Sequence, residues 1–218
     1  MLQCPPDILP FRYRFSMPPA RQLLTYLIAG WSGYYVMAIE LLSGRILAPN
    51  FGNSIYVWGG IITVFMIALS VGYLIGGQLS VFAPSQGKLA ALLLGAAAAT
   101  LPIVIVGEPV LDWIFNRVHD PRYASLLASS VLFFVPTAVS GMVSPYAVRL
   151  LATDLQATGR SAGLLFFVST FGSAAGTILT SFYMVLWFEI NQIFIGMIVV
   201  SALIGMATLG FRDARVAA

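Results

Sequence analysis

Residues 34–77 read YYVMAIELLSGRILAPNFGNSIYVWGGIITVFMIALSVGYLIGG. An apolar run carries a single acid, Glu40, and the chain then turns through Arg45, Pro49, Gly52 and Asn53. A second apolar run follows from residue 55 and holds no charge at all. Two such runs joined by a short turn predict a pair of membrane helices, since a span needs about 20 mostly apolar residues. A carboxylate inside a membrane helix is expensive and by default marks function. The rest of the chain reads as packing for this helix pair, which it repeats once in inverted form.

Composition agrees. The chain has 218 residues, 59% of them hydrophobic and only 9% charged, with a mean hydropathy of +0.91. Soluble domains carry about 25% charged residues, so this is a membrane composition. The single cysteine, Cys4, excludes an intramolecular disulfide and a cysteine-ligated zinc site. The single histidine, His119, excludes a His-rich metal site. A net charge of +3 that is spread along the chain gives no nucleic-acid surface. No cofactor motif is present, and neither a cofactor nor a metal is expected.

Six segments qualify as spans: 22–44, 55–79, 89–107, 123–147, 161–186 and 191–211. They divide the chain into a cytoplasmic tail (1–20), a six-helix transmembrane domain (21–211) and a second cytoplasmic tail (212–218). A signal peptide is the alternative for the N-terminus, but the following run is too long for one and lacks a small-residue cleavage site. Pro102, Pro136 and Pro145 interrupt the third and fourth spans and predict kinks. Eight of the eleven Lys and Arg residues fall on the side of the two termini; Arg45, Arg117 and Arg122 fall on the other. Positive residues stay in the cytoplasm, so both termini are expected there, in a plasma membrane. The opposite face collects Glu40, Glu108, Asp112, Asp120 and Glu189. Residues 110–119 (VLDWIFNRVH) alternate as a short amphipathic helix, expected to lie flat at that interface with Trp113 as anchor.

The segment from Gly52 has a counterpart from Gly159. Each opens on Gly-x-Ser, read as a turn and helix cap, and continues with small residues at helical spacing. Each also follows an arginine that closes the preceding helix, Arg45 and Arg149. Three spans per unit force the second unit to enter from the other side. The expected fold is therefore all-α and integral to the membrane, with six transmembrane helices in a 3+3 inverted repeat resembling half of a major-facilitator fold.

ELLSGRILAPNFGNSIYVW (40–58) and GMVSPYAVRLLATDLQATGRSAGLLFFVSTFGSAAGT (141–177) resemble the membrane portion of bacterial membrane-bound spermidine synthase-like proteins. The resemblance covers roughly residues 30–186. It implies major-facilitator-like helices in a bacterial inner membrane and a polyamine or related organic cation as ligand. In that family a soluble aminopropyltransferase-like domain usually follows the helices. Here the residues after the last span are RDARVAA, and no glycine-rich strand–turn–helix is present to bind a nucleoside cosubstrate. No catalytic residue is carried over, and enzyme activity is not expected of this chain alone.

The candidate residues follow. Glu40 lies about 27 Å into its span at 1.5 Å per residue, near the outer boundary of the hydrocarbon. It shares a helical face with Gly33, Met37 and Gly44. A cation could be held by Glu40 and walled by Tyr34, Tyr35, Tyr56 and Trp58, whose ring faces attract positive charge. The structural alternative is an ion pair with Arg45, but five residues is about 140° around a helix and aligns them poorly. Arg45, Arg149 and Glu189 read either as gate residues related by the repeat or as interfacial groups, the arginines snorkelling to headgroups. Glu189 could reach Arg45. Gly72 with Gly76, and Gly172 with Gly176, form two G-x-x-x-G patterns that let helix backbones touch. Together with Ser169, Thr170 and Ser173 they mark helix packing, or else a substrate-lined path.

Two functions fit. One is a binding or transport module for a small organic cation such as a polyamine, working as a homodimer in the lipid bilayer. The other is a non-catalytic anchor for a separately encoded synthase-like partner at the cytoplasmic face, through Arg149–Arg160 and the C-terminal tail.

Overall fold

The computed structural model describes residues 19–82, 84–151 and 155–213. The N-terminal tail with Cys4, Arg12 and Arg14 lies outside them, as does Arg215. Every element among the described residues is helical: α1 (Pro19–Phe51), α2 (Ile55–Val81), α3 (Gln86–Arg117), α4 (Pro121–Gly141), α5 (Val143–Leu151), α6 (Leu155–Leu179), a wider π turn (Thr180–Met184), α7 (Val185–Trp187) and α8 (Ile190–Asp213). Five stretches are long and apolar enough to cross a membrane: Ile55–Val81, Gln86–Arg117, Pro121–Leu151, Gly159–Trp187 and Ile190–Gly210. That makes a multi-pass membrane protein.

The expected first span is the one that falls short of this measure. α1 is long, at 33 residues, but Ser32, Tyr34, Tyr35, Glu40 and Ser43 dilute its apolar character. The reason lies in packing. α1 touches every other long helix of the bundle, and Ile28, Tyr35, Ile39, Leu42 and Leu47 are all but fully buried. A helix wrapped in protein needs no lipid-facing surface. It also runs past the expected end at residue 44, through Arg45 and Pro49. Gly52, at φ +79°, stops it. Its N–H donates to the Ala48 carbonyl at 2.9 Å, the left-handed helix stop that glycine makes without strain.

α3 corrects the sequence reading more sharply. The flat helix expected over 110–119 does not exist as a separate element, because α3 runs unbroken through Pro102 and Pro109 to Arg117. Leu111 and Ile114 continue the buried face of Ile103 and Gly107 and join the main core. Phe115 packs against Phe51 with ring centroids 6.1 Å apart. Burial against α1 outweighs floating the same side chains on the interface. At 32 residues α3 is about 48 Å long, well beyond a hydrocarbon core of about 30 Å.

Two further details differ. Gly159, Arg160 and Ser161 lie inside α6, which starts at Leu155, so they are not a turn and cap. Ser54 does stand at the N-cap of α2, but its side chain makes no capping bond. Asn53 takes a different role there, accepting from the indole N–H of Trp58 at 2.5 Å.

Small residues bring the helices together. Gly172 and Gly176 of α6 lie against the backbone of Gly30 and Tyr34 in α1. Gly72 and Gly76 of α2 lie against Ala138 and Met142 at the end of α4. Register rises together in both pairs, so α1 runs parallel to α6 and α2 parallel to α4. Buried polar ties add to the packing. Trp31 Nε1 donates to Ser201 Oγ at 2.8 Å, Ser32 Oγ donates to the Ser140 carbonyl at 3.1 Å, and the Tyr35 hydroxyl meets Thr100 Oγ1 at 2.6 Å. Large apolar side chains such as Phe166, Phe171, Phe182 and Trp187 face outward, as they would towards lipid.

Candidate functional site

The C-terminal parts of α1 and α3 and the start of α8 line an open vestibule of about 490 Å³. Its size falls within the usual range for small-molecule sites, roughly 300–1,000 Å³. Six polar side chains line it: Arg45 and Asn50 from α1, Glu108 and Asp112 from α3, and Glu189 and Asn191 at the head of α8. Each is placed by a local rule. Glu108 and Asp112 are four residues apart and so project from one face of α3. Glu189 immediately precedes α8 and its carbonyl accepts the first helical bond, from Ile193 N–H at 3.1 Å. The Glu189 N–H is itself held by Gln192 Oε1 at 3.2 Å, half of a capping box. The Glu189 carboxylate is left to face the vestibule.

The charges are not matched internally. One guanidinium stands among three carboxylates, and no ion pair joins any of them among the described residues. Of these three acids, Asp112 alone has a side-chain partner among the described residues, accepting from Asn50 Nδ2 at 3.1 Å. The vestibule therefore keeps a net negative charge. Among the described residues, no three acidic, histidine or cysteine side chains converge closely enough to hold a metal ion. The carboxylates share one cavity, two on one face of α3 and one at the head of α8. Such a wall suits an extended cation with spaced positive charges better than a point charge.

Arg45 and Glu189 are thus brought together as neighbours in one cavity, without an ion pair. Arg149 is not with them; it sits exposed in the last turn of α5, at the other end of the bundle. Gly72, Gly76, Gly172 and Gly176 all occupy backbone contacts between helices, as their spacing suggested.

Glu40 lies apart from the vestibule lining. On its face of α1, Gly33 is covered by Ser169 and Ser173 of α6, and Gly44 by the Trp58 ring of α2. Glu40 lies between these contacts, half-buried, and faces the strip between α6 and α2. Of the four aromatic residues expected around it, only Trp58 lies over this face of α1, against Gly44, while the other three are engaged elsewhere. Tyr34 stacks on Trp31 at 5.0 Å and donates to Met184 Sδ at 3.1 Å. Tyr35 reaches the opposite way, to Thr100 of α3. Tyr56 already carries the protein's own cation, with Arg122 4.3 Å above its ring. Trp58 is held by Asn53.

No known protein family matches the chain, and neither does any curated protein or solved structure. What the site can do has to follow from its geometry.

Glu108 and Asp112 were legible as outer-face acids but not as site residues. The missed signal is a phase that never breaks: Ile103, Gly107, Leu111 and Ile114 continue one buried stripe. That stripe carries the two acids upright beside Arg45.

Proposed function

We propose that this chain is a binding or transport module in a membrane for a small organic cation bearing more than one amino group. One observation carries the reading: the carboxylates of Glu108, Asp112 and Glu189 line a single open cavity and outnumber its one arginine, without converging as a three-ligand metal site among the described residues. Spaced ammonium groups complement that wall. Glu40, an acid within α1 with no side-chain partner among the described residues, supplies a second cation-attracting point deeper in the bundle. The likeness of residues 40–58 and 141–177 to spermidine synthase-like membrane segments points in the same direction, to polyamines.

The fold we propose is a 3+3 inverted repeat like half of a major-facilitator unit. Its support is the matched glycine contacts. Gly172 and Gly176 stand one hundred positions after Gly72 and Gly76, and each pair packs on two residues four apart in a parallel neighbour, Gly30 and Tyr34 in one case and Ala138 and Met142 in the other. On this reading α1 is the sixth span, a second copy of the chain would complete the two halves, and the basic end with both termini faces the cytoplasm of a bacterial inner membrane.

The test is thermal stabilisation of the purified chain by putrescine and spermidine, with a monoamine as control. A ligand that binds only the folded state adds about 2.7 kcal/mol at one hundred times its Kd. Stabilisation by the polyamines and its loss in the Glu108→Gln/Asp112→Asn/Glu189→Gln variant is the expected result. No response to any polyamine, or an unchanged response in the variant, would overturn the reading and favour the anchor for a soluble synthase-like partner.

A further inference from the structure

Arg45 has no role in a site built only for amines. It lines the same cavity as three carboxylates and pairs with none of them. An arginine placed to neutralise those acids would have closed on one. A purely cationic ligand would bring more positive charge beside it and leave it unmatched.

The free charges can be counted. Asp112 is engaged by the Asn50 amide, which leaves Glu108 and Glu189 as the unpartnered acids and Arg45 as the unpartnered base. Two ammonium groups and one carboxylate on the ligand would meet each of these with its opposite. Asp112 keeps its charge under the Asn50 amide, so the four ionisable side chains sum to two negative charges, and a ligand of one net positive charge leaves only that amide-held carboxylate uncompensated. A guanidinium presents a planar fork of donors that fits a carboxylate with two parallel bonds, a fit no amine can use. Position supports the same division, because Arg45 comes from α1 while Glu108 and Glu189 come from α3 and the head of α8.

We infer that the vestibule selects a diamino acid: Arg45 binds its carboxylate while Glu108 and Glu189 bind its two ammonium groups. This rests on the cation-binding function proposed above and narrows its ligand class. Arg45 is then the specificity-determining residue.

The experiment compares two ligands that differ only by the carboxylate. Free L-lysine and cadaverine have the same spacing between amines, and cadaverine lacks the carboxylate. Lysinamide keeps the rest of the molecule but neutralises that charge. Binding of all three to the full chain in lipid nanodiscs is measured by calorimetry, for the wild type and for Arg45→Gln. Lysine should bind at least ~10-fold more tightly than cadaverine or lysinamide, as a charge-assisted bidentate pair would give. Arg45→Gln should remove or reverse that order. If cadaverine or lysinamide binds as tightly as lysine, or if Arg45→Gln leaves the preference intact, the inference fails while the cation site stands. If none of the three binds and the polyamines also fail, both fall. The ligand comparison on the unmutated protein decides the matter even if Arg45→Gln does not fold.

Discussion

A β-carbon placed on Gly172 would lie 2.8 Å from the carbonyl carbon of Gly30 and closer still to its oxygen. The two helices meet backbone to backbone there, so neither can yield by turning a side chain. Gly172→Ala should therefore cost about 1–3 kcal/mol, as overpacking does. Gly163 provides the control, because a β-carbon there meets nothing within 4 Å. Gly163→Ala should be neutral or stabilising by up to about 1 kcal/mol, the helix-propensity gain over glycine. Unfolding of both variants in mild detergent checks the pair. Equal behaviour would mean that α1 and α6 are not in backbone contact.

The repeat reading adds a quantitative expectation. Gly76 opposes Met142 as Gly176 opposes Tyr34, in each case with backbone atoms closer than 3.0 Å to the added carbon. Gly76→Ala and Gly176→Ala should thus destabilise by similar amounts. They lie in different helix pairs, α2 with α4 and α6 with α1. Sites that share no partners combine additively to within about 0.5 kcal/mol, and the double variant should follow that rule. A large cost at one glycine with none at the other would count against two equivalent units.

Much of this architecture was legible in the chain, for identifiable reasons. Runs such as Ile55–Val81 carry no charged residue, and the bilayer leaves such a run little choice but a helix. The G-x-x-x-G pairs stood out because small residues four apart share a helix face and let another backbone come close. Glu108 and Asp112 were hidden by ending the third span at residue 107 and by Trp113, read as an interfacial anchor. Whether α3 continues upright or bends flat depends on what Leu111 and Ile114 can pack against. Phe51 and the rest of the extended α1 decide that, and they lie about sixty residues away in sequence. Tyr34 and Tyr35 turn away from Glu40 for a related reason. Closeness along the chain sets neighbouring side chains on different faces of a helix, and Tyr34 and Tyr35 diverge to Met184 and Thr100.

The Trp31–Ser201 hydrogen bond ties the central helix to α8, with Ser201 fully buried. Trp31→Phe should cost about 1–3 kcal/mol, much of it from the unpaired serine hydroxyl. Ser201→Ala in the Trp31→Phe background should then cost less than it does alone, since the orphaned group is gone. A double-mutant cycle on thermal unfolding measures the coupling, expected at 0.5 kcal/mol or more. Strict additivity would show that the bond contributes nothing in the folded protein.

Glu40 and Glu189 should separate binding from passage. Glu189 lines the vestibule, whereas Glu40 faces the strip of α1 between α6 and α2 and is absent from the vestibule lining. If ligand is captured at the vestibule and then moves inward, Glu189→Gln should weaken equilibrium binding several-fold. Its residual binding should also depend less on salt, because an exposed charge pair is screened beyond about 10 Å at 0.1 M ionic strength. Glu40→Gln should leave binding within about twofold, since a neutral isostere outside the cavity lining alters little there, yet it should abolish uptake into proteoliposomes. The reverse pattern, with binding lost at Glu40 and retained at Glu189, would move the primary site into the α2–α6 strip and reduce the vestibule to an antechamber. Uptake that survives Glu40→Gln at full rate would remove the inner acid from the path. Whatever crosses would then do so without a carboxylate in the bundle interior, a costly route for a cation.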